Sequence, residues 1–219
     1  MTTPDLLLLN NPHSAPAEAI RTLRTNLMFG QKNAQKPLHT FIVTASADGD
    51  DKSTLAANLA IAFAQAGQKT ILVDADLRRP SQHTIWGIPN ERGLIAMVND
   101  ESAFAQPPLV STAVENLSIL PAGTVQAIPT DVLSHPRMGE IIGVLKARAD
   151  YVIFDTSPVL VATDAALLGR KTDGALLVVR AGGTRKDHVA RAKTTLEQVG
   201  TTLLGAVLTN ASQEKTGKY

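Results

Sequence analysis

The chain has 219 residues, 44% apolar and 19% charged, which suits one soluble globular domain with a full core. A formal net charge of +1 excludes a strong overall pull toward nucleic acid or acidic lipid. Cysteine is absent, which removes disulfides, thiolate metal sites and cysteine nucleophiles.

In chain order, Leu6, Leu7, Leu8 and Leu9 form a short apolar run without the basic leader or small-residue cleavage site of a signal peptide. No apolar stretch approaches the roughly 18 residues that span a bilayer. Direct membrane insertion is therefore not expected, and a cytoplasmic location is. Residues 10–14 are expected as a loop. Residues 17–29 (AEAIRTLRTNLMF) follow Pro16 and predict a helix. Residues 39–45 (HTFIVTA) predict a buried strand, followed by a helix over residues 53–66 with Leu55, Leu59, Ala62, Phe63 and Ala66 at helical spacing and Gly67 as its C-terminal stop. Further strands are expected at residues 70–74, 117–120, 151–155, 175–179 and 203–208. Between the last two, Thr184 is expected to cap a helix that runs to about Val199 and ends at Gly200. Short Val-, Ile- and Leu-rich strands alternating with helices predict an α/β fold with a doubly wound, mostly parallel sheet. The domain is expected over residues 16–211, including its leading helix 16–29. Residues 1–15 are expected as an extension, and the polar residues 212–219 as a flexible tail.

The first strand ends in Ser46-Ala47-Asp48-Gly49-Asp50-Asp51-Lys52-Ser53-Thr54. Strand, turn, Lys-Ser/Thr and helix is the context of a P-loop. There backbone N–H groups and a helix N-terminus cradle phosphates, lysine reaches the β- and γ-phosphates, and the hydroxyl holds Mg²⁺. The usual pattern places glycines where Ser46 and Asp51 stand here. Asp tolerates the left-handed conformation such a loop needs better than most residues do. The three aspartates also bring charge. One carboxylate about 4 Å from a phosphate charge costs up to ~4 kcal/mol at an effective dielectric near 20, and screening reduces this to about a tenfold loss of affinity.

Two further apolar strands end in carboxylates: Asp74 and Asp76, two residues apart and followed by Arg78-Arg79-Pro80, and Asp155. Ligands of doubly wound sheets sit at the carboxyl ends of strands. From there a carboxylate is placed to support Mg²⁺ or to take a proton from a hydroxyl.

Together these motifs make the chain resemble the cytosolic bacterial tyrosine kinases of capsule and exopolysaccharide synthesis, P-loop proteins of the MinD-like class. The matching segments are Lys52-Ser53-Thr54, the D-x-D-x-R motif Asp74-Ala75-Asp76-Leu77-Arg78, and Phe154-Asp155. The resemblance extends to Ala56-Ala57-Asn58-Leu59-Ala60, to His83, to residues 90–94 (NERGL) and to residues 120–123 (LPAG). Glu18-x-x-Arg21-x-x-Arg24 matches the family's E-x-x-R-x-x-R subunit-interface motif, with the three residues expected on one helix face. The resemblance implies ATP and Mg²⁺ as cofactors. It implies Ser46 to Thr54 and Asn210 around the nucleotide, Lys52 on the phosphates, Ser53, Asp76 and Asp155 on Mg²⁺, and Asp74 as base for a tyrosine hydroxyl. It also implies a homo-oligomer that autophosphorylates and is docked to the membrane by a transmembrane polysaccharide co-polymerase or adaptor, with no nucleic-acid partner. Family members end in a tyrosine cluster; here Tyr219 stands alone in the tail, and Tyr151 is expected buried in a strand. Two other readings are a scaffold of the same family disabled by its acidic loop, and a partition- or division-site ATPase of related fold. The latter carries a lysine where this chain has Ala47.

Overall fold

The computed structural model describes residues 6–30, 37–124 and 128–211. The strands are β1 (Thr40–Ala45), β2 (Thr70–Ala75), β3 (Val110–Ser111), β4 (Leu117–Leu120), β5 (Tyr151–Thr156), β6 (Gly174–Arg180) and β7 (Leu203–Thr209). The helices are α1 (Leu7–Asn10), α2 (Ala15–Phe29), α3 (Lys52–Gln65), α4 (Gln82–Trp86), α5 (Leu94–Asn99), α6 (Glu101–Ala105), α7 (Pro129–Ser134), α8 (Arg137–Lys146), α9 (Asp164–Gly169) and α10 (Lys186–Gln198).

The strands form one sheet in the order β3-β4-β2-β5-β1-β6-β7. Every pairing is parallel except that of the two-residue β3 with β4. Successive side chains of a strand point to opposite faces, and here both faces are dry. Phe41, Val43, Leu72, Ile153, Leu176 and Val178 pack on one side with α3, whereas Ile42, Val73, Phe154 and Leu177 pack on the other with α5, α8 and α9. That is why the strands read as unbroken apolar runs rather than alternating ones. The doubly wound, mostly parallel sheet expected from the sequence is the observed fold.

Helix α3 is buried on nearly every side, from Leu55 to Ala64. Sheet lies under it, and α1 and α2 lie over it. Phe63 contacts the ring of Tyr151 with centroids 4.3 Å apart, and Tyr151, expected buried, is half-buried. Gly67, at φ 80°, follows the end of α3 in the left-handed conformation.

The loop expected over residues 10–14 is found over 11–14, but a short helix precedes it. The leucine run makes the one-turn α1, and Leu8 is 1% exposed, its N–H donating to Asn58 Oδ1 of α3 at 3.2 Å. Apolar burial has overridden the low intrinsic stability of a four-residue helix. Ser14 then caps α2, accepting from Ala17 N–H, so α2 begins two residues before the expected start. Thr184 is not the cap of α10. That position belongs to Arg185, which makes no side-chain cap, because the Thr184 hydroxyl is engaged elsewhere. Helices α4 to α9 and strand β3 went unanticipated; all but the ten-residue α8 are pieces of two to six residues, which carry too little periodicity to be read.

The segment over residues 90–94 packs against 120–123. Leu94 and Ile95 N–H groups donate to the carbonyls of Pro121 (2.8 Å) and Ala122 (3.0 Å), and Gly123 N–H donates to Asn90 Oδ1 at 3.0 Å. A Cβ on Gly93 would fall 1.9 Å from the Pro121 carbonyl oxygen, so only glycine fits there. This contact holds the ends of the β2–α5 and β4–α7 connections together.

Candidate active site

Strand β5 lies between β1 and β2, in register with both, and Asp74 of β2 is directly beside Asp155 of β5. The carboxyl ends of these three strands therefore converge. The loop after β1 leads into α3, whose first N–H groups have no intrahelical acceptor. Its N-cap residue, Asp51, sits at φ 58°, ψ 24° and does not cap with its side chain. The helix start is left open to an anion, in the left-handed geometry that a loop of this kind requires.

Lys52 is the centre of the site. Its Nζ lies 2.7 Å from Asp76 Oδ2, 3.2 Å from Asp155 Oδ1 and 3.1 Å from Ser53 Oγ. Burial pulls the pKa of this ammonium down, but Asp155 and then Asp76 more than offset it, and the net shift is upward. The three side chains that hold the ammonium are the oxygen donors a hard divalent cation prefers. The residue set thus fits both phosphate and Mg²⁺.

Asp74 is closed to solvent. Its Oδ2 accepts from Ser81 and Gln82 N–H, each at 2.9 Å, and so fixes the start of α4, while Oδ1 has no partner among the described residues. Burial, then the neighbouring Asp155, raise its pKa to about 8, against the pull of the two N–H donors and Lys52. Asp76 points the other oxygen, Oδ1, at the backbone N–H of Arg79 (3.1 Å).

The sequence reading missed two residues of the framework around these carboxylates, Gln82 and Asp164. Gln82 is fully buried, and its Nε2 donates to Asp155 Oδ2 (2.8 Å) and to the Ser53 carbonyl (3.0 Å) while its Oε1 accepts from Trp86 Nε1 (3.2 Å). One carboxamide thus ties the third strand end to the helix that carries Lys52. Arg78 forks onto buried Asp164 of α9, at 2.7 and 3.2 Å, where Ser157 and Thr130 also donate. Neither Gln82 nor Asp164 stands in a recognisable motif; the only signal was that Gln82 follows Arg78-Arg79-Pro80 closely. Gln82→Leu leaves the Asp155 oxygen, a carbonyl and the Trp86 indole N–H without partners. We expect a loss of about 2–4 kcal/mol in stability and a changed emission of Trp86, this chain's only tryptophan. Denaturant melts followed at Trp86 check this, and an unchanged midpoint would remove Gln82 from the framework.

The acidic loop is not three bare charges. Asp48 pairs with Arg79 at 2.8 Å. Asp50 is buried, its Oδ1 accepting from the Thr184 hydroxyl at 2.5 Å. Asp51 lies 3.9 Å from Arg180. The repulsion expected from sequence is therefore reduced by partners from the ends of β2 and β6. Ser46 is buried at the end of β1, Ala47 half-buried beside it, and Gly49 exposed at the tip, while Thr54 lies in the first turn of α3. Asn210, at φ 52°, lies across a cavity of about 530 Å³ from Asp48, Gly49, Asp50 and the turn after β6.

On α2, Glu18 pairs with Arg21 on the outer surface. Arg24 instead turns inward, with Nη1 3.3 Å from the Ala62 carbonyl near the end of α3. The three residues expected on one face are split between an outer pair and an inner contact. Tyr219 lies outside the described residues.

Residues 40–199 match the AAA domain family. The chain is 36% identical over 215 residues to the tyrosine-protein kinase YwqD of Bacillus subtilis, covering 98% of this chain and 90% of that one. It is 33% identical over 218 residues to the putative tyrosine-protein kinase CapB of Staphylococcus aureus, covering 100% of this chain and 94% of the relative. The solved kinase domain of the Escherichia coli tyrosine kinase ETK superposes with a TM-score of 0.88 at 29% identity, over 98% of this chain and 83% of that one. The division-site protein MinD of Pyrococcus horikoshii, at 23% identity and a TM-score of 0.65 over 78% of this chain and 70% of that one, shares the fold alone. With the P-loop, the paired acidic strand ends and this likeness over almost its whole length, the chain belongs to the bacterial tyrosine-protein kinases.

Proposed function

We propose that this chain transfers the γ-phosphoryl group of Mg²⁺-bound ATP to tyrosine hydroxyls, its own included, and thereby regulates capsule or exopolysaccharide synthesis and export. The observation that carries this reading is the meeting of Lys52, Ser53, Asp76 and Asp155 at one helix start. Mg²⁺, when bound, would neutralise charge on the transferring phosphoryl group. Ser53, Asp76 and Asp155 are the residues to hold it. Lys52 would exchange its carboxylate partners for phosphate oxygens, and the open N–H groups of the loop would orient the rest of the polyphosphate. The cavity between Asn210 and the turn after β6 would take the nucleoside.

Asp74 is our candidate to accept the tyrosine proton, at the unpartnered Oδ1. Because that oxygen is closed to solvent here, the hydroxyl reaches it only after the groups packed around it move. The pairing of Asp48 with Arg79 and of Asp51 with Arg180 disfavours a disabled scaffold, as do the kinase relatives. The test is incubation with labelled ATP and Mg²⁺ followed by mass spectrometry of the tail peptide. Phosphate on Tyr219 that requires Lys52 supports the proposal; nucleotide hydrolysis without any phosphotyrosine would overturn it.

No helix among the described residues is long and apolar enough to cross a membrane. We propose that a transmembrane adaptor recruits the chain to the inner face of the cell membrane, and that Glu18, Arg21 and Arg24 join subunits of a homo-oligomer. Arg21→Ala with Arg24→Ala should lower the mass seen by light scattering. The Arg24 contact with Ala62 makes a small loss of stability part of the same expectation. An unchanged mass removes the helix from the interface.

A further inference from the structure

The phosphate loop departs from glycine at Asp51, and the structure shows what stands opposite. Arg180, the last residue of β6, donates from Nη1 to the Gly49 carbonyl at 3.0 Å and lies 3.9 Å from Asp51 Oδ2. Four residues later Thr184 closes the same turn. Its hydroxyl oxygen accepts Arg180 N–H at 2.8 Å and donates its proton to Asp50. One turn, from Arg180 to Thr184, is thus fastened to the loop at both ends, and its partners lie some 130 positions away in the chain.

We propose that Arg180 is the positioning residue that makes this acidic loop usable by a nucleotide polyphosphate, so that Asp51 and Arg180 replace, as a pair, the glycine of an ordinary loop. The inference rests on the nucleotide reading above and concerns only how this chain satisfies it. Two effects follow from the geometry. The guanidinium offsets the Asp51 carboxylate, which otherwise repels phosphate from one residue before Lys52. Its second contact fixes the peptide joining Gly49 to Asp50. In a trans peptide the carbonyl and the following N–H point in opposite directions. Holding the Gly49 carbonyl toward Arg180 therefore turns Asp50 N–H away from it and removes one degree of freedom from a loop that must be ordered to bind. One nitrogen serves both tasks: Nη1 donates to the Gly49 carbonyl and stands 3.9 Å from the Asp51 carboxylate, so the charge is set close to Asp51 by the same contact that anchors the loop.

The pair makes a coupled prediction. Arg180→Gln should weaken Mg²⁺-ADP binding about tenfold in the natural background, where Asp51 is left uncompensated. In the Asp51→Gly background the same change should cost roughly threefold or less, because there is no carboxylate to offset. Asp51→Gly alone should tighten binding by only about threefold, since Arg180 already offsets most of the repulsion. Arg180→Lys should recover the charge effect but not the carbonyl anchor, and fall between. The experiment is a calorimetric titration of the four proteins of the cycle and the lysine variant with Mg²⁺-ADP at two salt concentrations. The Arg180→Gln loss in the natural background should shrink at the higher salt. Both residues are about half exposed, so their loss should leave the fold intact, as melts of each variant will report. Equal losses from Arg180→Gln in both backgrounds would show that Arg180 meets the nucleotide directly or not through Asp51, and would overturn the pairing. No loss in either background would overturn it as well. Failure of the natural protein and Asp51→Gly alike to bind Mg²⁺-ADP would instead strike the nucleotide reading beneath it, and the pairing with it.

Discussion

Lys52→Met should abolish nucleotide-dependent phosphotransfer and also destabilise the empty protein by about 3–5 kcal/mol at pH 8. The second effect distinguishes this site from a lysine that merely waits in solvent. Asp155 is wholly buried and Asp76 nearly so, and Lys52 is the cation that meets both. Methionine keeps the volume but leaves two carboxylates facing each other across a desolvated gap, and removing one partner of a buried ion pair carries a cost of that order. For a domain of this size, 3–5 kcal/mol corresponds to roughly 10 °C in Tm. The loss should be smaller at pH 6, because carboxylates without a counter-charge take up protons more readily. Added Mg²⁺ should recover more of the Tm in the variant than in the natural protein, since an ion bound to the folded state alone stabilises it by mass action. Thermal melts at the two pH values, with and without Mg²⁺, decide the matter. A variant that melts with the natural protein would mean that the ion triplet contributes nothing to the empty fold.

Asp74→Asn should raise stability in alkaline buffer while removing phosphotransfer. Asp74 has a folded-state pKa raised from 3.8 to about 8. Between these values the unfolded chain has released the proton and the folded chain has kept it. The folded state therefore binds more protons, and stability falls as pH rises through this window. The contribution is fully present below about pH 4 and lost above about pH 8. Asparagine keeps an oxygen to accept from Ser81 and Gln82 N–H and cannot ionise, so it flattens that part of the curve. The gain at pH 8–9 should be several kcal/mol, on the order of 3–5, with little change at pH 4–5. A natural protein whose Tm does not fall between pH 5 and 8 would argue against a neutral Asp74. In the kinase reaction Asp74 accepts a proton only in its ionised form, so phosphotransfer should rise as pH rises toward about 8, and Asp74→Asn loses that acceptor. A protein that is more stable yet inactive would separate the catalytic part of Asp74 from its structural one. Activity retained in Asp74→Asn would move the base elsewhere.

The fold was legible because its strands have dry sheet faces on both sides. Segments such as 41–43 and 152–154 are then apolar at successive positions, and such runs stand out against amphipathic helices. The limits of the central strands were read to within one residue. The first and last helices were read less well, for a physical reason: Leu8 is buried against α3 and the Thr184 hydroxyl is held by Asp50, contacts that no local pattern reveals. Within the site, Asp74, Asp76 and Asp155 announced themselves because they stand at the carboxyl ends of buried strands, where a parallel sheet presents its ligands, and Lys52 because it opens the helix after the first strand.

Sequence by itself determined the doubly wound sheet, the phosphate loop at the end of β1, the three acidic strand ends and the family to which they point. These depend on short-range spacing: the alternation of elements, and residues placed at most a few positions beyond a strand. Tertiary structure alone decided what surrounds them. It set Gln82 between Ser53 and Asp155, Asp164 under Arg78, and Arg180 and Thr184 against Asp51 and Asp50. It also gave two of the three loop aspartates, Asp48 and Asp51, cationic partners, and Asp50 a hydroxyl donor. Those partners lie from about 30 to more than 130 positions apart along the chain. Electrostatic compensation depends on distance in space, which only the packed sheet establishes.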